Sequence, residues 1–294
     1  MNKVGFIGVG IMGKSMVRNL MKAGFELHIY ARTKSKVEDV ISEGAQFHES
    51  IKDCVQDCDA VITIVGFPQD VEEVYFDEGN ILDSAKKGAY LIDMTTTSPQ
   101  IAEKIYEEGT KRGFHVMDAP VTGGDTGAKS GTLSILVGGE KEDYEACMQL
   151  FEAMGTNINY QGKAGCGQHC KLANQIMIAG TLSGVCEALT YAKEQGLDPE
   201  VFMKSVATGA AGSKQLDTFG PKILKDDYAP GFFMKHFIKD MKLALIEANR
   251  KGLSLDVLSM VLANYEELEQ EGYGDLGTQA LMKFYDEEHR NTEE

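Results

Sequence analysis

Positive charge is what this sequence has too little of. Lys and Arg together number 29 against 45 Asp and Glu, giving a formal net charge of −16 over 294 residues. A surface that negative repels polyphosphate backbones and anionic headgroups, which argues against nucleic acid or a membrane as partner. Long apolar runs are also missing. No uninterrupted stretch approaches the roughly 18 residues of a membrane helix, and the apolar start GFIGVGIM is broken by glycines, with no basic leader or cleavage site. The expected location is cytoplasmic. The six cysteines lack the spacing of a disulfide framework and read as reduced core thiols. Cys54 and Cys58 stand four apart, and Cys166, His169 and Cys170 crowd one helical turn. No second ligand pair at finger spacing accompanies them, so packing is expected and no metal. Internal repeats and low-complexity linkers are absent too, apart from the polar tail HRNTEE.

Apolar residues make up 43% of the chain, enough for a large core, and the length suggests two domains at roughly 150 residues each. From Met1 to about Gly162, short β-rich runs alternate with helix-length segments: KVGFIG, ELHIY, AVITIV, AYLID, FHVMD, LSILVG and INY. That alternation signals βαβ units, hence an α/β Rossmann-type doubly wound, mostly parallel sheet over residues 1–163. After Tyr160 apolar positions recur at helical period, so residues 164–294 are expected to be all-helical, with Gly162, Gly165 and Gly167 marking the seam. Leu172 to Ala192 reads as a long central helix, apolar on several faces and carrying the small residues Ala179, Gly180, Ser183 and Gly184. Such a helix is expected to be covered by the other domain or by a second subunit.

Gly8, Gly10 and Gly13 form G-x-G-x-x-G after the strand KVGFI and before a helix starting near Ile11. In that context the first glycine permits a tight turn, the second lets backbone approach a pyrophosphate, and the third allows close packing. Free N–H groups at the helix start then face the phosphates. About twenty residues on, where an acid would bind a ribose 2′-hydroxyl, stand Tyr30 and Ala31, followed by Arg32, Thr33, Lys34 and Lys36. Arginine beside a hydroxyl favours a 2′-phosphate, so the turn leans toward NADP(H) with NAD(H) possible; the bland reading is a solvated basic turn. In DMTTTSPQIAEKI, Ser98 is a helix cap and Pro99 the first helical residue, leaving Thr95 and Thr96 at the carboxyl end of a strand, where ligands of open α/β sheets bind. DAPVTGGDTGAKSGTLSILVGG carries Thr122, Gly123, Gly124, Gly127 and Gly131 in what reads as a flexible loop whose N–H groups can hold a carboxylate. Lys171 opens the helical half, with Asn174 and Gln175 on the same face at i+3 and i+4. An amine there can protonate a carbonyl oxygen, although a lone helical lysine is ordinarily solvated. Lys239 and Lys242, flanking Asp240, read as surface, and Phe232 and Phe233 as core.

Taken together, GFIGVGIMG, DMTTTSP, DAPVTGGDTGAKSGTLSILVGG, GCGQHCKLANQ and FIKDMKLAL resemble, across nearly the whole chain, the β-hydroxyacid dehydrogenase family. The resemblance implies a Rossmann-type domain, a helical domain and an active site joining them. It makes Lys171 the catalytic lysine, and Thr122, Gly123 and Gly124 the holders of the substrate carboxylate. Asn174, Phe232 and Asp240 would meet the substrate. Cofactor contacts would come from Gly8, Gly10, Ile11, Met12 and Gly13, from Arg32, Thr33 and Lys36, and from Val65, Thr96 and Lys239. The implied reaction interconverts a small carboxylate-bearing aldehyde and its hydroxy acid, in a homodimer or homotetramer. Two positions depart from the family pattern: Thr122 stands for the usual serine and Gln175 for the usual second asparagine. Competing readings are an NAD-dependent tartronate semialdehyde reductase, a non-catalytic dinucleotide-binding protein, and imine reduction; Lys171 weighs against the last two.

Overall fold

The computed structural model describes residues 1–285; the polar tail HRNTEE lies outside the described residues. The chain divides into two compact units, one from Met1 to Lys171 and one from Leu172 onward. The first is built on β1 (Lys3–Ile7), β2 (Glu26–Tyr30), β3 (Gln46–Phe47), β4 (Ala60–Thr63), β5 (Tyr90–Asp93), β6 (His115–Asp118), β7 (Val121–Thr122), β8 (Leu133–Gly139) and β9 (Gly155–Gly162). Six of these lie parallel in the order β3-β2-β1-β4-β5-β6. β8 then runs antiparallel to β6 and β7 and parallel to β9. The order reverses at β1 and β4, the switch point where doubly wound sheets bind ligands at their carboxyl edge.

The central strands are apolar on both faces because helices cover both. Alternate residues divide cleanly between two cores. Phe6, Ile62, Ile92 and Met117 join Met16, Leu20 and Phe151 on one side, whereas Ile7, Val61, Leu91 and Val116 join Tyr75, Ile81 and Ile105 on the other. Each such side chain, fully buried, contributes roughly 1.5–3 kcal/mol relative to exposure. The expected cap at Ser98 forms, its side chain accepting from the Gln100 N–H with Pro99 opening the helix Pro99–Lys111.

The Leu172-onward unit is helical, as the periodicity predicts. Its main elements are most of the long helix Cys166–Glu194, then Pro199–Ala207, Lys214–Ile223, Met234–Arg250 and Asp256–Gln270. Leu182, Cys186, Leu189, Phe237, Met241, Val261 and Leu268 pack around Tyr265. The Phe237 and Tyr265 rings meet edge to face at 5.4 Å, and the buried Tyr265 hydroxyl donates to the Thr278 carbonyl at 2.7 Å. By length and composition alone the 29-residue helix is sufficient to cross a bilayer, with a mean hydropathy of 1.2 in its most apolar window. Its buried Gln168, Lys171, Gln175 and Ser183 instead mark a core helix with polar work to do. Among the described residues not every apolar side chain is covered: Met177 is 74% and Tyr191 67% exposed.

All six cysteines are free thiols. Cys54, Cys58, Cys147 and Cys186 are buried, and burial pushes each of their thiols up.

Candidate active site

The glycine turn after β1 separates into two jobs. Gly8 adopts φ +98°, and a Cβ there would lie 2.1 Å from the Ile64 carbonyl oxygen; a Cβ on Gly13 would lie 2.1 Å from the Gly8 oxygen. Those two glycines are demanded by packing. Gly10 is different: a Cβ there would meet nothing within 4 Å. It is the N-cap of the helix Ile11–Lys22, which has no acidic residue in its first turn. Ile11 is 55% exposed and Met12 half-buried. An open cradle before free N–H groups and a positive helix end suits a dinucleotide pyrophosphate.

At the end of β2, Arg32, Thr33 and Lys36 are all exposed. Arg32 reaches back to Asp70, Nη2 to Oδ1, at 2.9 Å, while Asp70 Oδ2 accepts the Phe67 N–H at the start of the helix Pro68–Phe76. The pairing aims the guanidinium and sets a carboxylate beside it. Sequence reading missed Asp70, because 38 residues separate the partners and nothing local announces them.

The carboxyl ends of β4 and β5 are joined by a buried network. Asp93 Oδ1 accepts from the Thr63 hydroxyl at 2.7 Å and from the Thr95 N–H at 3.1 Å, and the Thr95 hydroxyl accepts from the Val65 N–H at 3.0 Å. Burial pushes the Asp93 carboxyl up to about 6, against the pull of the hydrogen bonds from Thr95 and Thr63. This network fixes Val65 and the loop holding half-buried Thr96.

A second glycine turn brings the long helix onto the sheet. Gly165 has φ +85°, and a Cβ on Gly167 would lie 2.4 Å from the Leu136 oxygen and 2.7 Å from Asp118. Asp118, at the end of β6, accepts the Gly165 N–H through Oδ1 and the Gln168 N–H through Oδ2, each at 2.8 Å. It therefore caps the helix start. Burial raises its carboxyl, and those two N–H groups oppose the rise. The fully buried Gln168 then grips the Thr96 loop from both sides. Its Nε2 donates to the Thr95 oxygen at 2.7 Å and its Oε1 accepts the Thr97 N–H at 3.0 Å. Lys171, three residues further, is only 7% exposed, so the surface reading of a lone helical lysine does not apply. Gln168 and Asp118 were missed as well, although both lie in stretches marked by the Gly165–Gly167 spacing and the acid after FHVM.

Thr122 ends β7, half-buried, and Gly123 (φ +130°) and Gly124 (φ +64°) follow. The segment expected as a flexible loop is instead the short helix Gly124–Ser130, closed by Gly131 at φ +68°. Gly127 explains the difference, since it lets this helix press on Leu133, 3.2 Å from where a Cβ would sit.

In the helical unit, Asn174 Nδ2 donates to Gln175 Oε1 at 2.8 Å, and Gln175 Nε2 donates to Asp240 Oδ2 at 2.7 Å. The Lys239 ammonium lies 3.0 Å from Asp240 Oδ1. Gln175 and Asp240 are almost wholly buried, and Lys239, with its side chain only 12% exposed, is not the surface lysine that the sequence suggests. Lys242 is one, pairing with Glu266 at 2.7 Å. Phe232 is half-buried, edge-on to Phe237 at 6.1 Å.

Known proteins resemble this chain over nearly its whole length. Residues 3–162 match the family described as the NAD binding domain of 6-phosphogluconate dehydrogenase, and residues 165–285 that described as NAD-binding of NADP-dependent 3-hydroxyisobutyrate dehydrogenase. The chain is 49% identical over 282 residues to an uncharacterized oxidoreductase, YkwC, of Bacillus subtilis, covering 96% of this chain and 98% of that one. It is 44% identical to a probable mitochondrial 3-hydroxyisobutyrate dehydrogenase-like protein of Arabidopsis thaliana, covering 95% and 84%. Among solved structures, 3-hydroxyisobutyrate dehydrogenase of Mycobacterium tuberculosis with L-serine superposes with a TM-score of 0.88 at 26% identity, covering 96% and 98%.

Proposed function

Because the chain belongs to the β-hydroxyacid dehydrogenase family of NAD(P)-dependent oxidoreductases, we propose that it interconverts a small hydroxy acid, such as 3-hydroxyisobutyrate, and the matching carboxylate aldehyde. The Mycobacterium relative is named for 3-hydroxyisobutyrate and was solved with L-serine. The two compounds share a carboxylate and a CH₂OH carbon, and that shared part is the proposed substrate class. The observation that carries the reading is Lys171: a buried lysine one helical turn beyond Gln168, which grips the backbone around Thr96, in the same unit as the open cradle at Gly10.

When bound, the nicotinamide dinucleotide supplies or accepts the hydride. In reduction the Lys171 ammonium gives its proton to the carbonyl oxygen, making the hydroxyl, and is reprotonated from solvent; in oxidation the neutral amine takes the hydroxyl proton. Thr122, with the backbone of Gly123 and Gly124, takes the substrate carboxylate. Asn174 orients the substrate, and Phe232 and Asp240 complete its surround. Gly8, Gly10, Ile11, Met12 and Gly13 seat the pyrophosphate, and Val65, Thr96 and Lys239 line the rest of the cofactor. Arg32, with Thr33 and Lys36, reads the 2′-phosphate, which favours NADP(H). The Asp70 carboxylate beside Arg32 offers an acceptor to a 2′-hydroxyl, so NAD(H) also binds. The proposed assembly is a cytoplasmic homodimer or homotetramer that covers exposed Met177 and Tyr191; sedimentation velocity would disprove it by finding only monomer.

Lys171→Ala should cut turnover of the aldehyde at least about a hundredfold, the usual scale of general acid catalysis, while NADPH still binds by fluorescence. The panel is glyoxylate, succinic semialdehyde, tartronate semialdehyde and methylmalonate semialdehyde, each with NADPH and with NADH. Wild-type protein inert on every member would sink the reading in favour of a non-catalytic dinucleotide binder.

A further inference from the structure

Gln168 makes three connections, one through its backbone and two through its side-chain amide. Its backbone N–H is held by Asp118, its Oε1 accepts the N–H of Thr97, and its Nε2 donates to the carbonyl of Thr95. The last two bracket Thr96. A glutamine is the right length and polarity for this, because one end must accept and the other must donate. Lys171 follows one helical turn later, about 4.5 Å along the axis at 1.5 Å per residue. The cap on Asp118 and the close approach at Gly167 leave that turn little freedom to slide.

We propose that Gln168 is a positioning residue that sets the separation of Lys171 from the Thr96 loop, and so the reach of the amine to the reacting oxygen. This rests on the catalytic role of Lys171 proposed above. Gln168 touches neither proton nor substrate in that scheme; its contribution is registry. A displacement of about 1 Å at a reacting group can cost a hundredfold in rate, so the expected signature is a loss in kcat with little change in binding.

Gln168→Ala should lower kcat for the aldehyde that the wild type turns over by about ten- to a hundredfold. KM for that aldehyde and the Kd for NADPH should stay within about threefold, the mark of an interaction felt mainly in the transition state. A sharper variant is Gln168→Glu. A protonated glutamic acid can donate to the Thr95 carbonyl and accept from Thr97, reproducing both bonds; an ionised one sets a carboxylate against the Thr95 oxygen. Burial raises the pKa of such a carboxyl. In this variant kcat relative to wild type should therefore be near parity at about pH 5.5 and fall roughly tenfold by pH 8, as the proton that mimics the amide is lost. Relative kcat of Gln168→Glu flat across that range, or a folded Gln168→Ala within twofold of wild-type kcat, would overturn the proposal. Because both variants are compared with an active wild type, their failure is distinct from failure of the function itself, which the wild-type panel reads.

Discussion

Two glycine turns serve the first unit in opposite ways. At Gly10 the missing side chain leaves space in front of a helix end; at Gly167 the missing side chain is space already filled by the Leu136 and Asp118 backbones. One turn therefore keeps room before a helix end, and the other lets protein press on protein. The same G-x-G spelling accompanies both, at Gly8–Gly10 and Gly165–Gly167, so only the surroundings distinguish a binding glycine from a packing one.

The contrast can be broken most forcibly at the packed turn. Gly167→Ala drives a Cβ into backbone atoms that cannot rotate away, and overpacking of this kind costs about 3 kcal/mol at its upper end. Thermal unfolding should shift down by roughly 6–12 °C; an unchanged midpoint would mean the helix sits less tightly on β8 than described. Next in size is pH. Asp118 holds the packed turn and Asp93 is its register partner on β5, both with carboxyls raised by burial, Asp93 to about 6. The folded state holds these protons after an unfolded chain, with carboxyls near 4, has lost them. The Asp93 contribution is therefore most favourable below about pH 4, declines as pH rises to about 6, and levels off above, and Asp118 acts in the same direction. Asp93→Asn should remove much of that decline, so its stability relative to wild type should climb by roughly 2 kcal/mol between pH 4 and 7 in urea titrations. A pH-independent difference would show that burial does not govern this carboxyl. The smallest effect belongs to the open turn: Gly10→Ala should leave the midpoint of the free protein unaltered and weaken NADPH by about tenfold or more, equivalent to 1.4 kcal/mol. Loss of stability without loss of affinity would invert the assignment of the two turns.

The sheet and the helical half were legible because period-2 and period-3.6 apolar patterns are long-lived signals: KVGFI, AVIT and YLID each sit where their run predicted. β3 and β7, at two residues each, are too short to carry a pattern. The helix Gly124–Ser130 escaped because its first four residues, Gly124, Asp125, Thr126 and Gly127, are all poor helix formers, and tertiary contact at Leu133 overrides that propensity. In the site, Lys171 and the glycines were visible as motifs. The polar side chains that hold them were not. Gln168 meets Thr95–Thr97 across more than seventy residues, and Gln175 meets Asp240 across 65. Gln175, legible only as a neighbour of Lys171 on one helix face and as a departure from the family pattern, is the link that joins Asn174 to Asp240.

The free thiols acquire a meaning from this chemistry. Aldehydes add reversibly to thiolates, so a protein that handles them gains from keeping its sulfur protonated. Cys54, Cys58, Cys147 and Cys186 are shut away in apolar surroundings, and half-buried Cys170, directly before Lys171, is also shifted toward the protonated form by its surroundings. If the chain acts on an aldehyde as proposed, these sulfurs stay out of the reaction: the thiol next to Lys171 is shifted toward its protonated form, which leaves the amine as the proposed proton carrier.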